Sequence, residues 1–205
     1  MLKLLVLGAT GGAGRHIVSE ALDRGHLVTA FVRSPEKLQR TSENLVVIKG
    51  NPLDTESLIA ASAGQDVLLS ALSAGTLGPA TLMQQFAWSF TEAASRAKVD
   101  RLITLSTAFS FPNASLLVWV LGNTLFRNVL NDHIDMEAVV VASPLNWTII
   151  RPPRLVDGPK TGTYRIKESH LPSGGMSISR SDLADFVVNL AESGKYSRKV
   201  VGVCH

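Results

Sequence analysis

The chain is poor in cysteine, in long apolar runs and in clustered charge. Cys204 is the single cysteine among 205 residues, which excludes an internal disulfide framework, and its surroundings do not show the ligand spacing of a metal site. The longest strongly apolar stretch outside the predicted strands, residues 116–121, is far too short to cross a bilayer. The N-terminus is typical of a strand rather than of a cleavable signal. We therefore expect a cytoplasmic protein with no membrane contact.

Charge is equally sparse. Charged residues make up 18% of the sequence, the formal net charge is +3, and lysine and arginine form no run. This pattern does not support a nucleic-acid surface and weakly favours small anionic ligands. A hydrophobic fraction of 45% and a mean hydropathy of +0.19 indicate a globular protein. The length suits one domain over residues 1–205, in which 108–131 and 154–175 are expected to be insertions that form a substrate pocket.

The first fourteen residues carry the clearest motif. An apolar run, Leu2–Leu7, ends in a glycine-rich turn at 8–14, and a helical period of apolar residues follows at once. Such glycines let the backbone turn sharply, approach a pyrophosphate and pack a helix on a strand, while the helix offers free N–H donors to an anion. The turn predicts a dinucleotide site, although a plain tight turn is the alternative. The expected contacts are Gly8, Thr10, Gly11, Gly12, Ala13 and Gly14.

The end of the second predicted strand indicates which dinucleotide binds. Arg33 follows Gly14 by nineteen residues, near the interval at which an acidic residue selects NAD and an arginine selects the 2′-phosphate of NADP. Lys37 comes one helical turn later and would complete a phosphate clamp. The alternative is a solvated arginine at a strand end. The pair predicts NADP(H) as the cofactor.

Strands alternate with helices along the rest of the chain. This order predicts an α/β fold with a doubly wound parallel sheet, helices on both faces, and strand order 3-2-1-4-5-6 with a seventh strand. Small residues at 73–75 follow the fourth strand, where the strand order should reverse, and we expect Leu72 and Ser73 to contact the cofactor. Helices are predicted at 79–98 and 131–142, and Asp54 and Ser179 as helix N-caps.

The fifth predicted strand ends in two hydroxyl residues, Ser106 and Thr107. The segment 108–131 that follows is apolar and aromatic, and it contains Phe109, Phe111, Trp119 and Phe126. Such an insertion is suited to form a wall or lid over a flat substrate. A buried or oligomer-forming patch is an equally good reading.

Together these motifs resemble the atypical short-chain dehydrogenase/reductase family, and within it the NADPH-dependent biliverdin-IXβ reductase/flavin reductase type. The resemblance is carried by residues 8–14, 32–33, 64–66, 106–109, 132–134, 162–164 and 178–183. It implies a single Rossmann domain that binds NADPH and passes hydride to a small planar acceptor such as a flavin, with FMN or FAD as a substrate, a biliverdin or a quinone. The tyrosine and lysine four residues apart that most short-chain reductases use are absent, as they are in this type.

The resemblance also implies roles for single residues. Thr107 falls on the active-site serine of the family, and Ser106 could share its role. His133 takes the place of a lysine in many relatives, and it either relays a proton or makes a structural hydrogen bond. Asn51 falls at the adenine edge, where the following proline removes one backbone N–H. Further expected contacts are Pro153 and Arg154 for the cofactor, and Phe109 and Arg154 for the substrate.

Two functions of different classes follow from these observations. The first is an NADPH-dependent reductase of flat acceptors, acting as a monomer or weak homodimer. The second is a regulatory protein that senses NADP(H) without turnover and signals through a protein partner, for which the missing tyrosine is the motive. An epimerase or isomerase is weaker, because its proton shuttle would normally need that tyrosine.

Overall fold

Strands and helices alternate around one central sheet in the computed structural model, which describes residues 1–73, 81–111, 120 and 124–205. The strands are β1 (Lys3–Leu7), β2 (Leu27–Val32), β3 (Leu45–Lys49), β4 (Val67–Ser70), β5 (Arg101–Leu105), β6 (Asn146–Arg151), β7 (Arg154–Val156), β8 (Arg165–Glu168), β9 (Ser177–Ser179) and β10 (Lys199–Cys204). The helices of the described residues are α1 (Gly12–Asp23), α2 (Thr55–Ser62), α3 (Leu82–Arg96), α4 (Arg127–Ala142) and α5 (Arg180–Ser193).

The central sheet has eight strands in the order β3-β2-β1-β4-β5-β6-β10-β8. Seven of them run parallel, which confirms the predicted order and the seventh strand, β10. The eighth strand, β8, pairs antiparallel with β10 and was not predicted as part of this sheet. The short strands β7 and β9 form a separate parallel pair. The predicted insertion at 154–175 therefore contains both β7 and β8.

Burial on both faces explains why these strands form a parallel sheet. Every residue of β4 and β5 is buried, and near-continuous apolar runs are typical of strands covered by helices on both sides. Helices α1 and α5 pack together on one face, and α2, α3 and α4 cover the other. The fold thus has the predicted helices on both faces of a doubly wound sheet.

The chain reverses its direction of winding at β1. It moves from β1 through β2 to β3 on one side, and then crosses to β4 on the other side of β1. In sheets of this kind the carboxyl ends of the strands flanking this point bound a crevice that binds ligands. Of the small residues predicted there, only Ser73 lies within the described residues.

Two helices differ from their predicted boundaries. The third begins at Leu82, and the residues at 79–80 of its predicted start lie outside the described residues. Helix α4 begins at Arg127 instead of Asn131, so that prediction was wrong. The Asn-Asp pair is typical of an N-cap, but Asp132 lies in the second turn and its carboxylate accepts hydrogen bonds from the N–H groups of Met83 and Gln84 at the start of α3.

The other predicted helix starts are confirmed. The Asp54 carboxylate accepts from the Ser57 N–H at the start of α2, and the Ser179 hydroxyl accepts from the Asp182 N–H at the start of α5. Across residues 1–73, 81–111, 120 and 124–205, no helix combines the length and the apolar character needed to cross a membrane.

Candidate active site

The glycine turn after β1 is built where no side chain can fit. Gly8 has a φ of +73°, and a Cβ added to it would lie 2.5 Å from the carbonyl oxygen of Ala71 after β4. A Cβ on Gly14 would lie 2.1 Å from the carbonyl oxygen of Gly8, so this glycine lets α1 cross the strand closely. Gly11, the N-cap of α1, has no side chain to cap the helix, and the first turn carries no acidic residue. The N–H groups of the first turn of α1 are therefore suited to bind an anion.

At Gly12 an added Cβ would meet a side chain and not the backbone. A Cβ there would lie 3.0 Å from Nε of Arg180, whose guanidinium donates to the Asp157 carboxylate at 2.7 Å. Gly12 therefore leaves room for a side chain from α5. With Ala13 and Gly14, it lies outside the lining of the cavity described next.

A cavity of about 410 Å³ opens in front of this turn, at the carboxyl ends of β1, β2 and β4. It brings together seven of the predicted cofactor contacts, Gly8, Thr10, Gly11, Arg33, Lys37, Leu72 and Ser73. Pro52 lines the cavity and Asn51, which was expected there, does not; the Asn51 side chain accepts from the Leu53 N–H at 3.2 Å. A turn in which a Cβ on Gly8 or Gly14 would collide with backbone, beside two cations, fits the phosphates of a dinucleotide.

Positive charge extends beyond Arg33. A groove of about 360 Å³ adjoins the cavity, shares Lys37 with it, and is lined by Arg15, His16, Ser19, Leu38, Gln39 and Arg40. Burial lowers the pKa of His16, and the charges of Arg15 and Arg180 lower it further, against an opposing effect of Asp157. Arg15 was not among the predicted contacts, although an arginine directly after Gly14 was a visible signal.

A second cavity, of about 420 Å³, lies beyond the ends of β5 and β6. It is lined by Thr107, Ala108, Phe109, Phe126, Pro153, Arg154, Leu171, Gly175 and Met176. The rings of Phe109 and Phe126 stack with centroids 5.0 Å apart and an angle of 17° between their planes. An apolar cavity with a flat aromatic wall and with Arg154 as the cation among its described lining residues suits a planar, negatively charged molecule. The described parts of both predicted insertions contribute to it.

The two adjacent hydroxyls point in different directions. Thr107 lines the second cavity, and its Oγ1 accepts from the Phe109 N–H at 3.4 Å. Ser106 is buried, its hydroxyl donates to Oε1 of Glu137, and its Oγ lies 3.4 Å from Nδ1 of His133. Ser106 and His133 therefore lie behind the cavity wall, and the structure does not bring them together with Thr107 at the cavity.

His133 lies in the second turn of α4 and not at a helix start. Burial lowers the pKa of its imidazole, and the charge of Glu137 only partly opposes this. The ring is consequently neutral at pH 7, and its contact with Ser106 fits the structural alternative weighed above.

Two charged residues behind the same wall, Glu137 (buried) and Arg151 (partly buried), were not predicted as part of the site. The guanidinium of Arg151, the last residue of β6, donates from Nε to Oε1 of Glu137 at 3.0 Å and from Nη2 to Oε2. Arg151 directly precedes Pro152 and Pro153, and Glu137 lies four residues after His133 on α4. Both positions were visible in the sequence, but nothing in it paired them.

The two cavities lie at the same edge of the sheet. The first is bounded by β1 and β4 and the second by β5, and β4 is the single strand between β1 and β5. Because these strands are parallel, their carboxyl ends point the same way. A molecule that extended from the first cavity across the end of β4 would reach the second.

Comparison with known proteins adds to this geometry. The chain matches the sequence pattern described as NAD(P)H-binding over residues 8–193. The oxidoreductase stcQ of Emericella nidulans is 31% identical over 232 residues, covering 99% of the chain and 82% of that protein. A candidate NADH-flavin reductase from Streptococcus pneumoniae has 25% identity, a TM-score of 0.82 and 100% coverage of both chains. A short-chain dehydrogenase/reductase from Veillonella parvula, solved with NADP, has 20% identity, a TM-score of 0.82 and coverage of 100% and 94%.

Proposed function

The chain belongs to the NAD(P)H-binding family, and from this premise we propose that it is an NADPH-dependent reductase of a flat acceptor such as a flavin, a biliverdin or a quinone. Membership confirms the predicted resemblance to atypical short-chain dehydrogenases/reductases, and a similar protein is named as an oxidoreductase. The observation that carries the finer proposal is the pair of cavities at one sheet edge, one polar and glycine-lined, the other apolar and aromatic. The likeness to a candidate flavin reductase supports it.

The chain's own residues have distinct tasks in this proposal. When bound, reduced nicotinamide supplies a hydride, which is equivalent to two electrons and one proton. The acceptor takes its second proton from solvent or a protein hydroxyl. The N–H groups of the glycine turn and α1 would hold the diphosphate, and Arg33 with Lys37 would hold the 2′-phosphate. The Thr107 oxygen accepts from the Phe109 N–H, which leaves its O–H to donate to the acceptor. A proton that passes from this hydroxyl to the acceptor is replaced from solvent.

The acceptor cavity limits the class of substrate. Phe109 offers a ring face for stacking, and Arg154 offers a charge that cannot donate a proton for chemistry at neutral pH. We therefore expect FMN, with its phosphate, to be reduced more efficiently than riboflavin. The variant Arg154→Gln should remove most of this preference.

The first experiment measures cofactor binding by calorimetry and turnover by loss of NADPH absorbance with FMN, biliverdin and a quinone. Arg33→Gln should raise the Kd for NADPH by roughly tenfold, the loss of one charge-assisted contact, and change the Kd for NADH little. Arg96→Gln is the matched control, because Arg96 pairs with Glu56 at 2.6 Å on the exposed surface of α3. Absence of NADPH binding would refute the whole proposal.

The second experiment tests the hydroxyl. Thr107→Val keeps the shape and removes the donor, and we expect kcat to fall by roughly tenfold to a hundredfold, whereas Thr107→Ser should keep most of the activity. Equal activity of the two variants would exclude Thr107 as the proton donor. The regulatory alternative makes the opposite prediction for the wild type: different affinities for NADPH and NADP⁺, with no turnover of any acceptor.

A further inference from the structure

We infer that the buried pair of Glu137 and Arg151 positions the wall of the acceptor cavity, an inference that rests on the proposed function. Neither side chain lines the cavity, so neither is a catalytic residue. The pair acts from behind, through the turn that carries Thr107 and Phe109. It would set how well a flat acceptor fits, while leaving the cofactor site unchanged.

Arg151 joins three elements with one guanidinium. It extends from the end of β6 and makes a two-point ion pair with Glu137 of α4. A third nitrogen, Nη1, donates to the carbonyl oxygen of Ser110 at 2.8 Å, and the guanidinium carbon lies 4.8 Å from the ring centroid of Phe111. The planar guanidinium is bonded to Glu137 on one side and to Ser110 on the other, so it cannot rotate, and the direction of each contact is fixed.

The turn held in this way forms one side of the acceptor cavity. Residues Ala108–Ser110 form a single 3₁₀ turn that starts from Thr107, and the Ala108 N–H donates to the carbonyl oxygen of Pro152 at 3.0 Å. Pro152 directly follows Arg151, so the turn is tied to the end of β6 by two contacts. The positions of the Thr107 hydroxyl and the Phe109 ring therefore depend on both.

The carboxylate of Glu137 is fully engaged. It accepts from Ser106 of β5 as well as from Arg151, and the side chains of Glu137 and Arg151 are only 8% and 14% exposed. A buried ion pair adds little net stability compared with apolar side chains of similar size, because both charges lose their hydration. What such side chains cannot replace is the fixed direction of the contacts to Ser106 and Ser110.

The cofactor cavity does not depend on this pair. Its described lining comes from the glycine turn, from the end of β2 and from the segments after β2, β3 and β4, and none of these residues lines the acceptor cavity. Disturbing Glu137 and Arg151 should therefore separate the two ligands: acceptor binding weakens and NADPH binding does not.

The test uses the full-length chain with a double substitution, Glu137→Met with Arg151→Met, which removes both charges and keeps apolar volume. We expect folding with a similar Tm, an NADPH Kd within about twofold of wild type, and a KM and Kd for FMN raised about tenfold or more. The KM and Kd for FMN of Arg151→Lys should lie between those of wild type and the double variant. A lysine can pair with Glu137 but cannot at the same time donate to the Ser110 carbonyl oxygen. The control removes an exposed pair, Glu56→Met with Arg96→Met, and should match wild type throughout.

Amide hydrogen exchange gives a readout that needs no acceptor. In the double variant, exchange of the amides in 106–111 should accelerate at least about tenfold, while exchange in 3–20 stays at its wild-type rate. Unchanged exchange and unchanged FMN affinity would overturn the inference, as would a loss of NADPH binding with retained fold. If wild type binds NADPH but neither binds nor reduces FMN, the proposed function fails for flavins, and the exchange experiment still decides the role of the pair.

Discussion

Replacing Asp182 by asparagine should remove a pH-dependent part of the stability of the fold. This carboxylate is fully buried in the first turn of α5. Its Oδ1 accepts from the backbone N–H groups of Thr161 and Gly162, both at 2.8 Å. Its Oδ2 contacts the hydroxyls of Thr161 and Ser179 at 2.9 Å each and Nε2 of His205 at 2.8 Å.

The size of the effect follows from the pKa of Asp182. Burial by itself would raise this pKa, but the hydrogen bonds from Gly162, His205 and Thr161 outweigh burial and lower it from 3.8 to about 2. At about 1.4 kcal/mol per unit, the folded state gains roughly 2 kcal/mol from the ionised group. Because the folded pKa is the lower one, this gain is present above the unfolded pKa and is lost as the pH falls through about 2.

Asparagine at this position keeps the shape. The carbonyl oxygen of the asparagine can accept from the same two backbone N–H groups, which are fixed in place. Its NH₂ group can then donate to the two hydroxyls and the imidazole, which can turn to accept. We expect Asp182→Asn to lose roughly 2 kcal/mol at pH 7 and to converge with wild type near pH 2. Urea unfolding followed by tryptophan fluorescence between pH 2 and 7 measures both curves.

The control for Asp182→Asn is a carboxylate whose removal should not change the stability of the fold. Glu168→Gln removes an exposed ion pair with Lys199, at 3.2 Å, and its unfolding free energy should stay within about 0.5 kcal/mol of wild type across the range. If the curves of wild type and Asp182→Asn run parallel down to pH 2, the assignment of the low pKa to this hydrogen-bond cluster is wrong.

Three further substitutions or reagents test other parts of the fold. Gly14→Ala should abolish soluble expression or NADPH binding, because its Cβ would lie 2.1 Å from a backbone oxygen, whereas Gly158→Ala, with 3.5 Å to its nearest neighbour, should behave as wild type in both assays. Asp132→Ala leaves the first N–H groups of α3 without their acceptor and should cost roughly 1–3 kcal/mol in urea unfolding; an unchanged midpoint would show that water replaces the carboxylate. Burial raises the pKa of the Cys204 thiol, so Ellman's reagent should label it only in denaturant, and fast labelling of the native protein would contradict its burial.

The features that sequence analysis predicted correctly are local ones. The strand and glycine turn before α1 and the N-caps at Asp54 and Ser179 each depend on residues within a few positions of one another. The parallel order of the sheet was predictable for another reason, the alternation of strands and helices along the chain. Seven predicted cofactor contacts line one cavity because the strand order brings the ends of β1, β2 and β4 together. Their role in binding stays a prediction.

The features that it missed depend on contacts between distant residues. Ser106 and Glu137 are 31 positions apart, and only the packing of α4 beside β5 brings the hydroxyl to the carboxylate. The start of α4 was misplaced for the same reason, since Asp132 supplies acceptors to another helix 49 residues away instead of to its own. The approach of Arg180 to Gly12 could not be predicted either, because that side chain comes from α5, near the far end of the chain.

The two outer strands of the central sheet are protected to different degrees. At one edge, three of the four residues of β8 are charged, and charge on an edge strand discourages pairing with another chain. At the opposite edge, β3 exposes Val46 and Val47 at 56% and 40%. Aggregation through added strands would therefore begin at β3. The substitution Val46→Lys would place a charge on this edge strand and discourage such pairing, as the charges of β8 do at the opposite edge.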